Sequence, residues 1–197
     1  MGNRRVLLHA PPAARVATMR GMKRDPDVHT LADGKHIALV RRGGWEHAAR
    51  KNVSGIVGVV AVTDDRRLVL VEQDRPPVNG RVIELPAGLA GDDDRHRDED
   101  LAAAARRELL EETGYAAREM RRLAAGAASA GMTDEIITLF LATGLTKTGP
   151  GGGDGSEDIT VHEVPLDGIL DWLAAREAEG RLIDLKVYAG LYFARRG

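Results

Sequence analysis

The sequence predicts an α+β fold in which helices pack on a mixed β-sheet. Apolar, β-branched runs occur on both sides of one long apolar-periodic helix, and two helical stretches close the chain. There is neither an internal repeat nor a regular strand–helix alternation. With 197 residues, 43% apolar side chains and a formal net charge of −2, the chain can build one substantial core. It has no cysteine, which excludes disulfides, thiolate metal sites and a cysteine nucleophile, so any metal must be held by oxygen or histidine. No apolar run approaches the roughly 18 residues of a membrane span, and none near the start resembles a secretory signal. A cytoplasmic protein with no membrane partner is expected.

The first 24 residues carry Arg4, Arg5, Arg15, Arg20, Lys23 and Arg24 and no acid. No clear amphipathic period surrounds Pro11-Pro12, so residues 1–29 are expected to be a loosely ordered arm. The near-neutral chain argues against a nucleic-acid binder. Strands are predicted over His36 to Arg41 and Val53 to Val62, the latter apolar enough to be buried on both faces. Asp64-Asp65 turns the chain into "RLVLVEQ", Arg67 to Gln73, as a hairpin. "RPPVNG" breaks it, and Arg81 to Leu85 is a short strand running into "PAG". After a charged run from Asp92 to Asp100, "LAAAARRELLEE" is a helix ending at Thr113-Gly114 with glycine as its cap.

Strands follow over Met120 to Ala128 and Glu135 to Ala142, separated by the loop "SAGMTD". Residues 144–158, "GLTKTGPGGGDGSED", are so rich in glycine that a mobile surface loop is expected. "ITVHEV" returns to strand. A helix with Leu166, Ile169, Leu170 and Leu173 on one stripe comes next, and a last helix spans about Asp184 to Ala194.

The helix is unusually acidic. Glu108 and Glu112 lie four residues apart, about 5–6 Å on one face, and Glu111 is three from Glu108. Like charges so placed cost a few tenths of a kcal/mol per pair, unless cations occupy the site. Arg107, four residues before Glu111 and roughly two turns after Glu99, can brace both carboxylates. An exposed charged helix and a cage for hard cations both fit this spacing. "ELPAG", Glu84 to Gly88, favours the cage, since its small residues let backbone approach a ligand closely. Carboxylates one turn apart suit magnesium, which bridges to substrate phosphates.

These residues resemble the Nudix hydrolases. Glu99, seven residues and "RELLEETGY" (Arg107 to Tyr115) match the second half of that family's signature at every fixed position. In the first half, ten residues separate Gly88 from Glu99 where the family has five, so part of "GDDDRHR" reads as an insertion. The resemblance implies an α/β/α sandwich, with Glu108, Glu112, nearby Glu111 and the Ala87 carbonyl holding Mg²⁺ (or Mn²⁺) and Arg107 orienting them.

"VEQDRPPVNGRVIELPAGL" further resembles the ADP-ribose and nucleoside diphosphate sugar pyrophosphatases. That likeness implies that Arg75 binds substrate phosphate and that Glu84 is a carboxylate near metal or water. In "SAGMTDE", residues 129 to 135, Ala130 replaces the proline associated with ADP-ribose, and Glu135 is placed near the metal-bound water. The general base is expected in the glycine-rich stretch, with Glu157 first and Asp154 and Asp158 behind it. Such a base contributes about 10²–10⁴-fold to rate. Relatives in that subfamily are homodimers, and the resemblance assigns residues 30–52, with Trp45, to an N-terminal β-element that packs on the partner or reaches its substrate. Residues 53–197 form the Nudix hydrolase domain. The activity implied is hydrolysis of a nucleoside diphosphate sugar to a nucleoside monophosphate and a sugar phosphate. Dinucleoside polyphosphates or nucleoside triphosphates as substrates, or a silent nucleotide-sensing domain, are the alternatives.

Overall fold

The computed structural model describes residues 27–92, 95–153 and 158–196. The arm expected at the N-terminus lies outside them up to residue 26, as do Asp154 and Glu157. The described chain opens with a three-stranded antiparallel sheet of β1 (Val28–Asp33), β2 (Ile37–Arg42) and β3 (Trp45–Arg50). Gly43 and Gly44, at φ 55° and 83°, form the two-residue connection between β2 and β3. Both central residues of such a turn need positive φ, which glycine reaches without a Cβ penalty. Along β2, Ala38 and Val40 are buried while Ile37 and Leu39 face outward, the two-residue period of a half-covered strand.

The main sheet contains β4 (Gly55–Val62), β5 (Arg67–Arg75), β6 (Gly80–Glu84), β7 (Ala87–Ala90), β8 (Tyr115–Ala127), β9 (Ile136–Lys147), β10 (Thr160–Pro165) and β11 (Leu182–Ile183). Its order is β11-β6-β5-β4-β9-β8, with β10 also on β5 and β7 also on β4. The β4–β9 and β6–β11 pairs are parallel and the others antiparallel, which makes the sheet mixed. Helix α1 (Leu101–Thr113) covers one face. Helices α2 (Ile169–Ala178) and α3 (Leu185–Ala194) cover the other.

Alternation along β4 explains both contacts. Val57, Val59 and Ala61 pack towards Ala104, Ala105 and Leu109 of α1, whereas Val60 joins Leu173, Val187 and Leu191 beneath α2 and α3. Strand β4 is therefore buried on both sides, as its unbroken apolar run requires. The alanines of α1 let that helix lie close to the sheet, and Leu109 is wholly buried, worth about 1.5–3 kcal/mol.

Two segments differ from the sequence-based expectation. "PAG", read only as the end of the Arg81 to Leu85 strand, begins a further strand, because Ala87–Ala90 pairs with β4 as β7. The glycine-rich stretch is also less free than its composition suggests. Gly144 to Lys147 extend β9, and the following residues fold back onto the end of α1. There the Gly152 and Gly153 amides donate to the carbonyls of Glu112 (2.8 Å) and Glu111 (3.0 Å). Helix C-terminal carbonyls lack intrahelical partners, and glycine backbone can approach them closely enough to serve. A Cβ on Gly151 would come within 2.5 Å of the Thr113 backbone, so composition here reflects close packing.

On the face opposite α1, Glu72 is buried and central to an ion cluster. Its carboxylate meets Arg81 Nε at 2.7 Å, His162 Nε2 at 2.9 Å and Arg181 Nε at 3.4 Å. Burial opposes its charge, but the Arg81 and His162 hydrogen bonds outweigh that cost and hold the carboxyl below the ordinary range. A carboxyl with a depressed folded pKa contributes stability that is complete above its unfolded value and lost as pH falls through the folded one. Melting curves should therefore show a fall in stability below pH 4.5, the ordinary glutamate value, that is smaller in Glu72→Gln. Parallel pH profiles for the two proteins would contradict this role.

Candidate active site

Helix α1 starts where the Asp100 side chain accepts the Ala103 amide at 2.7 Å, and it ends at Gly114, whose φ of 73° suits a left-handed cap. Between these limits the acidic face of the helix meets β7 and the end of β6 across a cavity of about 530 Å³. The cavity brings together Arg75, Glu84, Ala87, Gly88, Arg107, Glu108, Glu111, Glu112 and Glu135, which were singled out in the sequence. Trp45 and Asp158 are not part of its lining.

Arg107 is the organising cation. Its guanidinium reaches Glu108 at 2.8 Å, Glu111 at 3.0 Å, Glu99 at 2.9 Å and the Leu89 carbonyl at 2.8 Å. Burial works against its charge, but the surrounding carboxylates, Glu99 first, raise its pKa above the ordinary arginine value. Glu108 is mostly buried, and desolvation pushes its pKa up to about 7 despite Arg107. Glu112, 4% exposed, accepts the Ala87 amide at 3.0 Å through Oε2. Opposite, the Arg75 Nε donates to Glu84 at 2.6 Å, and burial raises the Glu84 pKa against that contact.

Among the described residues, no group of three or more histidine, aspartate or glutamate side chains is arranged to hold an ion by itself. Glu108 and Glu111 turn to Arg107, and Glu112 turns to the Ala87 amide. Two buried carboxylates on one helical face still provide the partial oxygen set that magnesium uses, since that ion keeps waters and takes the rest from substrate. A second feature fits a small hard ion. A Cβ on Gly88 would lie 1.9 Å from the Glu108 carboxyl carbon, so backbone and carboxylate meet with no room to spare.

Gly88→Ala therefore has a specific expected outcome. The atom in the way is the end of a flexible side chain, so Glu108 is displaced while the strand stays. Turnover should fall by at least about tenfold, with a melting temperature within about 3 °C of the parent. Activity equal to the parent would show that the Glu108 position is irrelevant.

A family model described as the NUDIX domain matches residues 54–185. The chain belongs to the Nudix family. It is 36% identical over 140 residues to a methanol dehydrogenase activator of Bacillus methanolicus, covering 71% of each chain. It is 36% identical over 124 residues to an ADP-ribose pyrophosphatase of Bacillus subtilis (strain 168), covering 62% of this chain and 64% of that one. An ADP-sugar pyrophosphatase of Mus musculus is 36% identical over 129 residues, of which this chain spans 56% of the length. A crystal structure described as an ADP compounds hydrolase shares the fold, with a TM-score of 0.59 and 21% identity over 76% of this chain and 81% of that one.

The Nudix site also draws in residues that the sequence reading did not select. Arg50, at the end of β3, pairs with Glu135 at 2.7 Å, and Lys186, in the first turn of α3, lines the opposite wall. No local pattern marks either, because each arrives from a distant element. Asp92, Arg95 and His96 also line the cavity, and the one signal for them was the abnormal spacing between Gly88 and Glu99. Trp45 donates from its indole N–H to the Gly131 carbonyl of the same chain at 3.1 Å, while its ring stays 64% exposed. The Ala48 amide donates to the Met132 carbonyl at 2.8 Å, so β3 also holds the 129–135 loop.

Proposed function

We propose that this Nudix enzyme hydrolyses the pyrophosphate of a nucleoside diphosphate sugar, giving a nucleoside monophosphate and a sugar phosphate. The observation that carries the reading is a single cavity in which the buried carboxylates of α1 face the Arg75–Glu84 pair. Relatives named for ADP-ribose, ADP-sugars and GDP-mannose support the same substrate class.

Glu108 and Glu112, with Glu111 beside them and the Ala87 carbonyl, are the ligands we assign to Mg²⁺, Mn²⁺ being an alternative. Bound there, the ion supplies neutralisation of the pyrophosphate charge and activation of water. Arg107 fixes the Glu108 and Glu111 rotamers through its planar fork. Arg75 holds a substrate phosphate, and Glu84, kept in place by Arg75, presents a carboxylate near the reacting water. Water oxygen attacks one phosphorus, the bridging P–O bond breaks, and its electron pair leaves with the other phosphate. Glu157 takes the proton of that water, with Glu135 orienting it. The support for Glu157 is its place in the chain, because Gly153 lines the cavity four residues before it.

A second copy of the chain is the partner we infer for the N-terminal sheet. Leu31, Ile37, Leu39 and Trp45 are all more than 40% exposed there, an apolar surface suited to burial between copies. Light scattering on the purified protein should give twice the chain mass, and a monomer at micromolar concentration refutes the dimer. Among the described residues, no helix is long and apolar enough to cross a membrane.

The substrate reading is tested by hydrolysis of ADP-ribose, GDP-mannose, UDP-glucose, diadenosine polyphosphates and nucleoside triphosphates, each with Mg²⁺ and with chelator. Turnover of a sugar nucleotide that chelator abolishes is expected. Turnover confined to polyphosphates moves the substrate class, and tight ligand binding without turnover of any compound overturns the hydrolytic reading.

A further inference from the structure

The connection between β8 and β9, residues 128–135, turns about the Ser129 carbonyl, which accepts the Met132 amide at 2.8 Å and the Thr133 amide at 3.0 Å. Neither Ala130 nor Gly131 has a positive φ. Ala130 holds the second position of the turn, where proline would fix φ and alanine leaves it free in the unfolded chain. Residues 128–132 are all exposed, so the turn has no core of its own. Its order comes from outside.

Strand β3 supplies that order through contacts that advance together along both chains. The Trp45 indole N–H donates to the Gly131 carbonyl at 3.1 Å. The Ala48 amide donates to the Met132 carbonyl at 2.8 Å, beside a parallel bridge from Ala48 to Thr133. Arg50 Nε then donates to Glu135 Oε1 at 2.7 Å. This last contact reaches the cavity, whose wall includes both residues. Glu84, Glu108, Glu111 and Glu112 line the same cavity, so Glu135 stands among like charges. Like charges at short range drive a carboxylate towards solvent unless a cation holds it. The Arg50 guanidinium does so, and the Glu135 side chain stays only 19% exposed.

We propose that β3 is part of the catalytic unit: it orders the 129–135 turn, and Arg50 is a positioning residue that aims the Glu135 carboxylate at the reacting water. This rests on the pyrophosphohydrolase reading of the same cavity. A residue that acts only through Glu135 sets kcat and leaves KM alone, because substrate binding does not pass through it. A direct grip of Arg50 on substrate would instead raise KM at unchanged kcat.

Hydrolysis of ADP-ribose and GDP-mannose in Mg²⁺ is measured for the parent, Arg50→Met, Arg50→Lys, Glu135→Gln and Arg50→Met/Glu135→Gln. Methionine keeps much of the stem and loses the charge. Arg50→Met should lower kcat by about tenfold or more with KM within about twofold, and Arg50→Lys should recover part of the loss. The double variant should be no slower than Glu135→Gln alone, since the two changes share one effect. A raised KM at parent kcat, or losses that multiply in the double variant, overturns the positioning role.

The ordering of the turn has a readout that needs no turnover, amide hydrogen exchange at Met132 and Thr133. Trp45→Phe keeps an aromatic ring and removes the indole N–H, so both amides should exchange roughly two- to tenfold faster. Ala130→Pro in that background should slow them again, which a lost contact elsewhere on Trp45 would not explain. Parent-like exchange in Trp45→Phe overturns the ordering role. Faster exchange there, together with no Mg²⁺-dependent hydrolysis of any substrate by the parent, supports the ordered turn and overturns the hydrolytic reading, and with it the role of Arg50 at the water.

Discussion

Glu112→Gln should fold like the parent and lose turnover by about 10²–10³-fold, or roughly 3–4 kcal/mol of barrier. Glutamine is nearly isosteric, and its amide oxygen can still accept the Ala87 amide that Glu112 Oε2 accepts at 3.0 Å. The link from β7 to α1 therefore survives. What disappears is a full negative charge inside a cavity where the side chain is almost wholly buried. If the carboxylate serves a divalent cation, the variant should also need more Mg²⁺ to reach half of its residual rate. Steady-state rates across a Mg²⁺ series, beside a melting curve, measure both quantities. A parent-like rate at all concentrations removes Glu112 from the site.

Arg107→Ala should damage stability as well as rate. The guanidinium is shared by Glu99, Glu108 and Glu111 and also donates to the Leu89 carbonyl. The Glu99 and Glu108 side chains are only 11% and 13% exposed, so alanine leaves two carboxylates poorly solvated and without their cation. Removing one partner of a buried ion pair costs about 3–5 kcal/mol. For a chain of this size that is a fall in melting temperature of roughly 6–20 °C. Arg107→Lys separates charge from shape, since lysine restores a cation but not a planar fork that can serve several carboxylates at once. It should lie between alanine and the parent in stability while staying far below the parent in rate. A change in melting temperature under about 2 °C for alanine would mean that the carboxylates find other partners.

The acidic helix was legible because its physics is local. Its cap, its glycine stop and the four-residue spacing of Glu108 and Glu112 lie within one continuous segment, and the Arg107 contact to Glu111 follows from helical periodicity, whereas Glu99 precedes the helix and reaches Arg107 through the turn before its cap. The apolar run of β4 likewise announced a strand covered on both faces. What escaped the sequence came through tertiary geometry. β7 is four residues long and finds its partner 29 to 35 residues upstream, Arg50 reaches Glu135 from a different sheet, and Lys186 arrives from the last helix of the chain. None carries a local pattern of its own. The glycine-rich segment misled for another reason. Composition reports the conformational freedom of a free chain, but glycine is also the residue that lets two backbones come within hydrogen-bonding reach, as at Gly151 against Thr113.

That backbone contact ties the last turn of α1 to residues 148–153, so the two share one local unfolding event. The Gly152 and Gly153 amides can exchange with solvent only when their bonds to Glu112 and Glu111 open. Thr148 and Gly149 add bonds from their own amides to the Gly114 carbonyl. Fraying at the helix end and release of this segment are then a single equilibrium. Whatever steadies the carboxylates of α1 also slows the breathing of the chain that leads towards Glu157.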